Sequence, residues 1–189
     1  MRRCAKLQLM ANLSVSWQQR DQCGGVHPGQ RTPSDHGLRR LGSGRCCRNP
    51  TFTHAAFYNF QVFTDNVTGG HKSTEGRLIP FCLFLDPELA RVGLNEMEAK
   101  ARGIKYRLFK LPIGIVLRTR ATMEKRGFMK ALVAADSGKI LGFLSFGANA
   151  GEVMAVVPMA MIAGRPYTAF TNAILTHPTM SEGLKFLFL

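Results

Sequence analysis

His177 and Glu182 are the two residues whose types and spacing best suit chemistry in this sequence. His177 precedes Pro178, so its backbone is biased toward an extended form, and a helix is predicted to begin just after it, near Thr179 or Ser181. Glu182 falls near the first turn of that helix, from where its carboxylate can fold back to the imidazole. Such a carboxylate orients the ring, fixes its tautomer and raises the basicity of the far nitrogen, as a general acid–base histidine requires. From spacing alone, the more common explanation is an exposed histidine beside an unrelated glutamate.

The amino-terminal part offers weaker candidates for chemistry. Cys23, His27, Cys46 and Cys47 lack the paired C-x2-C spacing that is typical of zinc sites, so no metal site is predicted. The segment from Gly42 to Cys47 has two glycines of a dinucleotide-binding fingerprint, but a cysteine stands at the third glycine position and no strand precedes it. Neither pattern predicts a site.

Length and charge set wider bounds on function. The 189 residues suffice for one domain with an appendage, and the net charge of +13 raises nucleic-acid binding as a hypothesis. Nine lysines and arginines against two acids stand in residues 1–50, so over half of the excess lies there. The longest apolar run, from Val153 to Ala163, is too short to span a bilayer, and polar residues interrupt the amino-terminal stretch that a signal peptide would need. We therefore expect a cytoplasmic chain with reduced cysteines and no membrane association.

Residues 1–50 show no sustained helical or strand periodicity and are rich in glycine, serine, arginine and glutamine. This composition predicts a disordered or only locally structured basic segment. Its basic residues are not interleaved with aromatic residues and form no helical stripe, so a solvated tail is favoured over specific nucleic-acid binding.

From residue 51 onward the pattern changes to regular elements. Asn95 with Glu98 three residues later has the spacing of a capping box, and the turn Asp136-Ser137-Gly138 separates two apolar runs as in a hairpin. The predicted elements are a helix over 53–63, strands over 79–85 and 104–111, a short helix ending at Gly103, hairpin strands over 127–134 and 139–146, and a helix over 150–163. These elements predict an α+β fold, a mostly antiparallel sheet with helices packed on one face.

The helix predicted over 150–163 has almost no polar side, and Gly164 ends it. A helix that is apolar all round must be covered all round, which favours partial burial at an interface between subunits. Pro158 has no backbone N–H, so it is predicted to kink this helix or to release one hydrogen bond.

Several segments resemble one known family. The run His177-Pro-Thr-Met-Ser-Glu182 is similar to the carboxy-terminal signature of the flavin-dependent pyridine nucleotide-disulfide oxidoreductases, the family of dihydrolipoamide dehydrogenase and glutathione reductase. Further similar segments, in the family's order, are Asp86–Gly93, Arg126–Lys130, Ile140–Phe143 and Gly147–Glu152. The resemblance implies that residues 77–189 are the family's dimerisation domain. Residues 50–57 resemble the end of its flavin-binding domain, so residues 51–76 are expected to be a remnant of that domain and a linker, preceded by an out-of-family segment over 1–50.

The resemblance also implies roles for individual residues. In the family the histidine reaches the partner subunit's redox disulfide and takes a proton from an incoming dithiol, while the glutamate orients it. Carried over, His177 is the acid–base residue, Glu182 orients it, and Pro178 is a conformational lock beside them. The resemblance further places Thr53, His177 and Pro178 beside FAD in a full-length homodimer.

Other expectations concern cofactors and substrate. FAD and NAD(P)H serve the full-length family, but this sequence contains neither a complete GxGxxG after a strand nor a C-x4-C redox pair. We therefore expect a truncated chain that binds neither cofactor alone and is inactive alone. Mercuric reductases, which share the fold, typically end in a vicinal cysteine pair that is absent after Leu184, so the retained His/Glu pair indicates a disulfide or dithiol substrate. The alternative function is a non-catalytic module that homodimerises through the helix over 150–163.

Overall fold

A computed structural model describes residues 52–189, which belong to two compact units, one ending at Glu75 and the other beginning at Gly76. The prediction of a disordered basic segment over residues 1–50 concerns a part of the chain outside the described residues, as does the set of Cys23, His27, Cys46 and Cys47. None of the helices within residues 52–189 is long and apolar enough to cross a membrane.

The described part of the first unit consists of helix α1, Thr53–Val67, and the loop after it. The helix ends four residues later than the sequence predicts. In its last turn, the Asn66 amide donates to the carbonyl oxygens of Val62 at 2.7 Å and Lys72 at 2.8 Å. The Lys72 N–H in turn donates to the Asp65 carboxylate at 2.9 Å. These side chains fold the loop back onto the end of the helix, which polar residues near a helix end can do in place of further helical hydrogen bonds.

The second unit contains the sheet and the remaining helices. In chain order its elements are β1 Phe81–Leu83, β2 Glu88–Gly93, α2 Glu96–Ala101, β3 Tyr106–Pro112, a 3₁₀ turn Ile113–Ile115, α3 Leu117–Ala121, β4 Phe128–Ala134, β5 Ile140–Gly147, α4 Ala150–Ile162, α5 Thr168–Asn172 and α6 Gly183–Leu187.

All neighbouring strands pair antiparallel in the order β1-β2-β5-β4-β3. Strands β4 and β5 form the predicted hairpin, and Gly138 in its turn has φ +68°, a left-handed conformation that glycine adopts without steric cost. The hairpin occupies the middle of the sheet, so it connects the two outer parts.

One face of the sheet carries the hydrophobic core. Its buried side chains include Ala90 and Val92 of β2, Met129 of β4 and Phe143 of β5. Helix α4 lies against β2 and β5, and α6 lies against β3 and β4. The predicted α+β architecture, a mostly antiparallel sheet with helices packed on one face, is confirmed, with α4 and α6 on the core face.

The short helix α2 is fixed to side chains of the opposite face. The predicted capping box is present: the Glu98 N–H donates to the Asn95 side chain at 2.7 Å, and the Glu98 carboxylate accepts from the Asn95 N–H at 2.9 Å. Arg91 donates to the same carboxylate at 2.5 Å, and Lys130 pairs with Glu96 at 2.8 Å. Burial opposes the charged form of Glu98, yet the hydrogen bonds from Arg91 and Asn95 hold its pKa below the ordinary value. Helix α2 is therefore tied to both β2 and β4.

Strand β3 forms one edge of the sheet, and its exposed residues include two cations. Arg107 and Lys110 are exposed on β3, and Pro112 at its end has no N–H to offer a further strand. The Arg107 guanidinium lies 5.2 Å from the centre of the Tyr167 ring, and the Lys110 amine lies 5.1 Å from the centre of the Phe128 ring. Both cations are thus held beside the edge by aromatic side chains.

Helix α4 has one buried and one exposed apolar side. Val153, Met154, Val157 and Pro158 are buried. On the other side, Met159 is 63 % exposed, Ile162 is 69 % exposed and Val156 is 38 % exposed, at helical spacing. The helix is continuous through Pro158. Its first turn is held to β2, because the Gly151 N–H donates to the Glu88 carboxylate at 3.1 Å.

Ser145 on β5 gives a first test of this fold. It is fully buried between Ala90 and Met129 of the neighbouring strands, and its hydroxyl has no hydrogen-bond partner in the described part of the chain. Removing a buried, unpaired hydroxyl is stabilising, so we expect Ser145→Ala to raise the free energy of unfolding by about 1 kcal/mol. Urea unfolding at fixed chain concentration measures this change.

The matched control is Thr119→Val, because the buried Thr119 hydroxyl does donate, to the Val116 carbonyl at 2.7 Å. The free energy of unfolding of that variant should be lower than that of the wild-type chain by about 1 kcal/mol. A loss of stability in Ser145→Ala would contradict this interpretation of the core.

Candidate active site

His177 and Glu182 form a hydrogen-bonded pair, which their spacing permits but does not by itself favour. His177 Nδ1 lies 2.8 Å from Glu182 Oε2. A carboxylate without a proton only accepts, so in a contact with such a carboxylate Nδ1 is the donor, and a neutral ring then has its lone pair on Nε2. The alternative of a histidine with an unrelated glutamate does not describe this geometry.

The two side chains differ strongly in burial. The His177 side chain is 61 % exposed, whereas the Glu182 side chain is only 7 % exposed. The second carboxylate oxygen, Oε1, is buried without a hydrogen-bond partner among the described residues. Burying a polar oxygen without a partner costs stability, so a purely structural site gains little from glutamate at this position. The pair thus has a fixed, buried acceptor and an accessible imidazole.

The pair is positioned by the start of α6, which begins at Gly183, later than the predicted start near Thr179 or Ser181. Gly183 approaches the core closely: a Cβ there would lie 2.7 Å from Val116 Cγ2 and 2.9 Å from Met129 Cε. A glycine therefore lets Glu182 enter the domain interior.

An aromatic cluster holds the other end of α6. Phe188, directly after the helix, contacts the rings of Phe109, Tyr167 and Phe170 at centroid separations of 5.3, 5.4 and 5.9 Å. These rings come from β3, from α5 and from the residue before α5. Ring contacts of this kind stabilise beyond their buried area, so α6 is held at both ends.

The remaining predicted site residues, Pro178 and Thr53, make no hydrogen bond of this pair. Pro178 is exposed, and the His177–Pro178 peptide bond is cis. Thr53 is exposed at the first residue of α1, in the first unit. Within residues 52–189, no three histidine, cysteine, aspartate or glutamate side chains come together as they would around a metal ion.

Cys82 is the cysteine within the described range, and its surroundings oppose reactivity. Burial raises the pKa of its thiol, and the nearby charges of Glu88 and Glu152 raise it further. Because the thiolate is the nucleophilic form, this cysteine is a poor candidate for redox chemistry.

Thr179 was not predicted as a site residue from the sequence, yet its hydroxyl makes hydrogen bonds to Thr176, just before His177, and to Glu182. Its hydroxyl donates to the Thr176 carbonyl at 2.7 Å and accepts from the Glu182 N–H at 3.3 Å. The available signal was Thr179-x-x-Glu182, which has capping-box spacing.

Comparison with known proteins decides the family. The model of the pyridine nucleotide-disulphide oxidoreductase dimerisation domain matches residues 79–187. The chain belongs to this family. Residues 79–187 include every strand found within residues 52–189 and both members of the His177/Glu182 pair, so the oxidoreductase dimerisation domain is the part of the chain that carries the candidate site.

Individual relatives agree with this assignment. The probable pyridine nucleotide-disulfide oxidoreductase RclA of Escherichia coli is 34 % identical over 139 residues, 72 % of this chain and 32 % of that protein. The dihydrolipoyl dehydrogenase of Geobacillus stearothermophilus is 32 % identical over 133 residues, 70 % of this chain and 28 % of that protein. The solved structure of the HOCl-induced flavoprotein disulfide reductase RclA from Escherichia coli superposes with a TM-score of 0.71 and 33 % identity, covering 74 % of this chain and 32 % of that one. The chain thus spans about a third or less of the relatives it matches.

Proposed function

We propose that this chain supplies the acid–base half of a dithiol–disulfide active site in a flavin-dependent oxidoreductase that works as a homodimer. The observation that carries the proposal is the 2.8 Å contact between His177 Nδ1 and the buried Glu182 carboxylate. Family membership supports the same role, since the matched relatives include a flavoprotein disulfide reductase and a dihydrolipoyl dehydrogenase.

The proposed chemistry at His177 is proton transfer. While the Nδ1–H group donates a hydrogen bond to Glu182, Nε2 takes the proton of a substrate thiol. The resulting thiolate attacks one sulfur of the partner subunit's redox disulfide. One S–S bond breaks, a mixed disulfide forms, and the other sulfur leaves as a thiolate. The negative charge of Glu182 stabilises the imidazolium formed in this step.

FAD and NAD(P)H are proposed as cofactors of the complete oxidoreductase. When bound, FAD would supply the two-electron redox chemistry that links the thiols to the nicotinamide. The Thr53 hydroxyl is exposed and can donate or accept, which fits the polar edge of a flavin ring, and the imidazole of His177 and the apolar ring of Pro178 can line such a site from the partner subunit. The nucleotide sites and redox disulfide would come from segments outside this chain.

The homodimer is proposed to form through the exposed side of α4. Val156, Met159 and Ile162 present an apolar stripe on a chain whose family is named for dimerisation. In a symmetric dimer the same stripe is covered by its own copy. This stripe would serve a non-catalytic dimerising module equally well, but such a module gives no reason for the buried Glu182 carboxylate.

A chimera tests the catalytic proposal. Residues 79–187 replace the aligned segment of the Geobacillus stearothermophilus dihydrolipoyl dehydrogenase, and oxidation of dihydrolipoamide by NAD⁺ is measured. We expect turnover within about tenfold of the host enzyme, since the proton-transfer groups are retained and only their supports differ. The full chain with added FAD, NAD⁺ and dihydrolipoamide is expected to stay at the free-flavin background.

A chimera that is dimeric and binds flavin but turns over at less than a hundredth of the host rate would contradict the acid–base role. Turnover by the 189-residue chain itself would contradict the proposal that other segments supply the rest of the site. The flavin spectrum and sedimentation coefficient show whether the chimera is correctly assembled.

A further inference from the structure

Glu182 lies five positions after His177, and regular helix begins only after both. Glu182 occupies the position before α6, and its side chain makes no capping hydrogen bond to that helix. The imidazole is mostly exposed, so few neighbouring side chains restrain its ring. A 2.8 Å contact between such residues requires that the segment between them be fixed by other interactions.

The Thr179 hydroxyl fixes this segment on both sides. It donates to the carbonyl of Thr176, the residue before His177, and accepts from the backbone N–H of Glu182. A single oxygen therefore bridges the residue that precedes the histidine and the glutamate itself. Making both hydrogen bonds requires one atom that can donate and accept. Among residues of this size, only the hydroxyls of serine and threonine can do so.

The comparison with an ordinary capping box shows what is different here. In a capping box the glutamate side chain returns to the backbone N–H of the threonine three residues earlier. In Thr179-x-x-Glu182, the threonine half of the box is present, but the Glu182 carboxylate bonds to His177 instead. The hydrogen bond that the glutamate side chain makes in a complete capping box is therefore missing, and the carboxylate is free to orient the imidazole.

We infer that Thr179 is a positioning residue that sets the tautomer of His177 by fixing Glu182. The inference rests on the proposed function for its role in catalysis, but the tautomer itself is a property of the resting chain. Loss of the hydroxyl leaves Glu182 with one fewer backbone restraint, and the Nδ1–H form of His177 loses part of its preference over the Nε2–H form.

The test is ¹⁵N NMR of histidine-labelled full chain at a pH where the imidazole is neutral. The two nitrogens of a neutral ring have different shifts according to which one carries the proton, so the spectrum gives the tautomer ratio. His177 is assigned among the five histidines with the His177→Gln variant. We expect the Nδ1–H form in the wild-type chain, and a fall in the ratio of Nδ1–H to Nε2–H of about fivefold in Thr179→Val, since a hydrogen bond of ordinary strength is lost.

Two variants separate positioning from general loss of structure. Thr179→Ser keeps the hydroxyl and should restore the wild-type ratio. Thr171→Val removes a similar hydroxyl, which donates to the Thr168 carbonyl at 3.0 Å in α5, and should leave the ratio unchanged. A wild-type ratio in folded Thr179→Val, or a predominantly Nε2–H ring in the wild-type chain, would overturn the inference.

The same substitution in the chimera distinguishes this inference from the proposed function. If both hold, Thr179→Val lowers kcat about fivefold with little change in KM, and Thr179→Ser recovers kcat. A shifted tautomer with unchanged kcat supports positioning by Thr179 and counts against the acid–base role of His177.

Discussion

Replacing His177 with glutamine in the chimera lowers the turnover of dihydrolipoamide by about 10²–10⁴-fold, the range that general acid–base catalysis contributes. Glutamine keeps a polar group of similar reach but cannot take up a proton. The substrate thiol then has no base at the site, and the thiolate needed for attack on the disulfide forms only from solution. We expect KM to change little, because the loss is in a step after binding. Steady-state kinetics at several pH values measure both quantities.

The companion variant is Glu182→Gln, which keeps an acceptor oxygen for Nδ1 but removes the charge that stabilises the imidazolium. We expect a smaller loss, of about tenfold, because a hydrogen bond to a charged group is stronger than one to a neutral amide. A His177→Gln chimera that is dimeric, binds flavin and retains more than a tenth of the activity would show that the imidazole is not the base. A larger loss of turnover in His177→Gln than in Glu182→Gln is the result expected if His177 is the base and Glu182 orients it.

Replacing Met159 with glutamate weakens dimerisation of the full chain about 100-fold or more. Met159 is 63 % exposed in the middle of the apolar stripe on α4, between Val156 and Ile162. A central apolar side chain in an interface commonly contributes about 2 kcal/mol, and a twofold-symmetric interface contains each substitution twice. The two introduced carboxylates would also approach each other on association. Sedimentation velocity over a concentration series gives the dissociation constant.

The matched control is Met97→Glu, which places the same change on α2, where Met97 is 77 % exposed. It should leave the dimer unchanged. Equal weakening by both variants would indicate a general charge effect, and a wild-type chain that is monomeric at micromolar concentration would reject dimerisation through α4 by this chain alone.

Much of this fold could be predicted because its signals are local. The capping box at Asn95 and Glu98, the glycine turn at Gly138 and the apolar periods around them specify each element from a few neighbouring residues. The register of β2 on β5 has no such signal. It depends on packing of core side chains such as Val92 against Phe143, which meet only after the chain has folded.

The candidate site was predictable in part for the same reason. His177 and Glu182 are close in sequence, so their contact follows from a short segment, and resemblance to a family assigned their roles. The burial of Glu182 could not be predicted, because it depends on Gly183 lying against Val116 and Met129 from distant parts of the chain. The burial of the Ser145 hydroxyl without a partner could not be predicted either, because a serine within an apolar strand does not indicate which face of the sheet it occupies.

Strand β3 has a consequence for how copies of this chain can associate. Its edge carries the exposed cations Arg107 and Lys110 and closes with Pro112. If two copies joined β3 to β3 in a continuous sheet, the exposed cations of both copies would be brought into one interface, and Pro112 would leave a carbonyl without an N–H partner. Pairing of a further strand at this edge is therefore disfavoured. Association that buries a helix face does not use this edge, so the exposed cations and the proline of β3 are compatible with a symmetric contact through α4 and oppose one through the sheet.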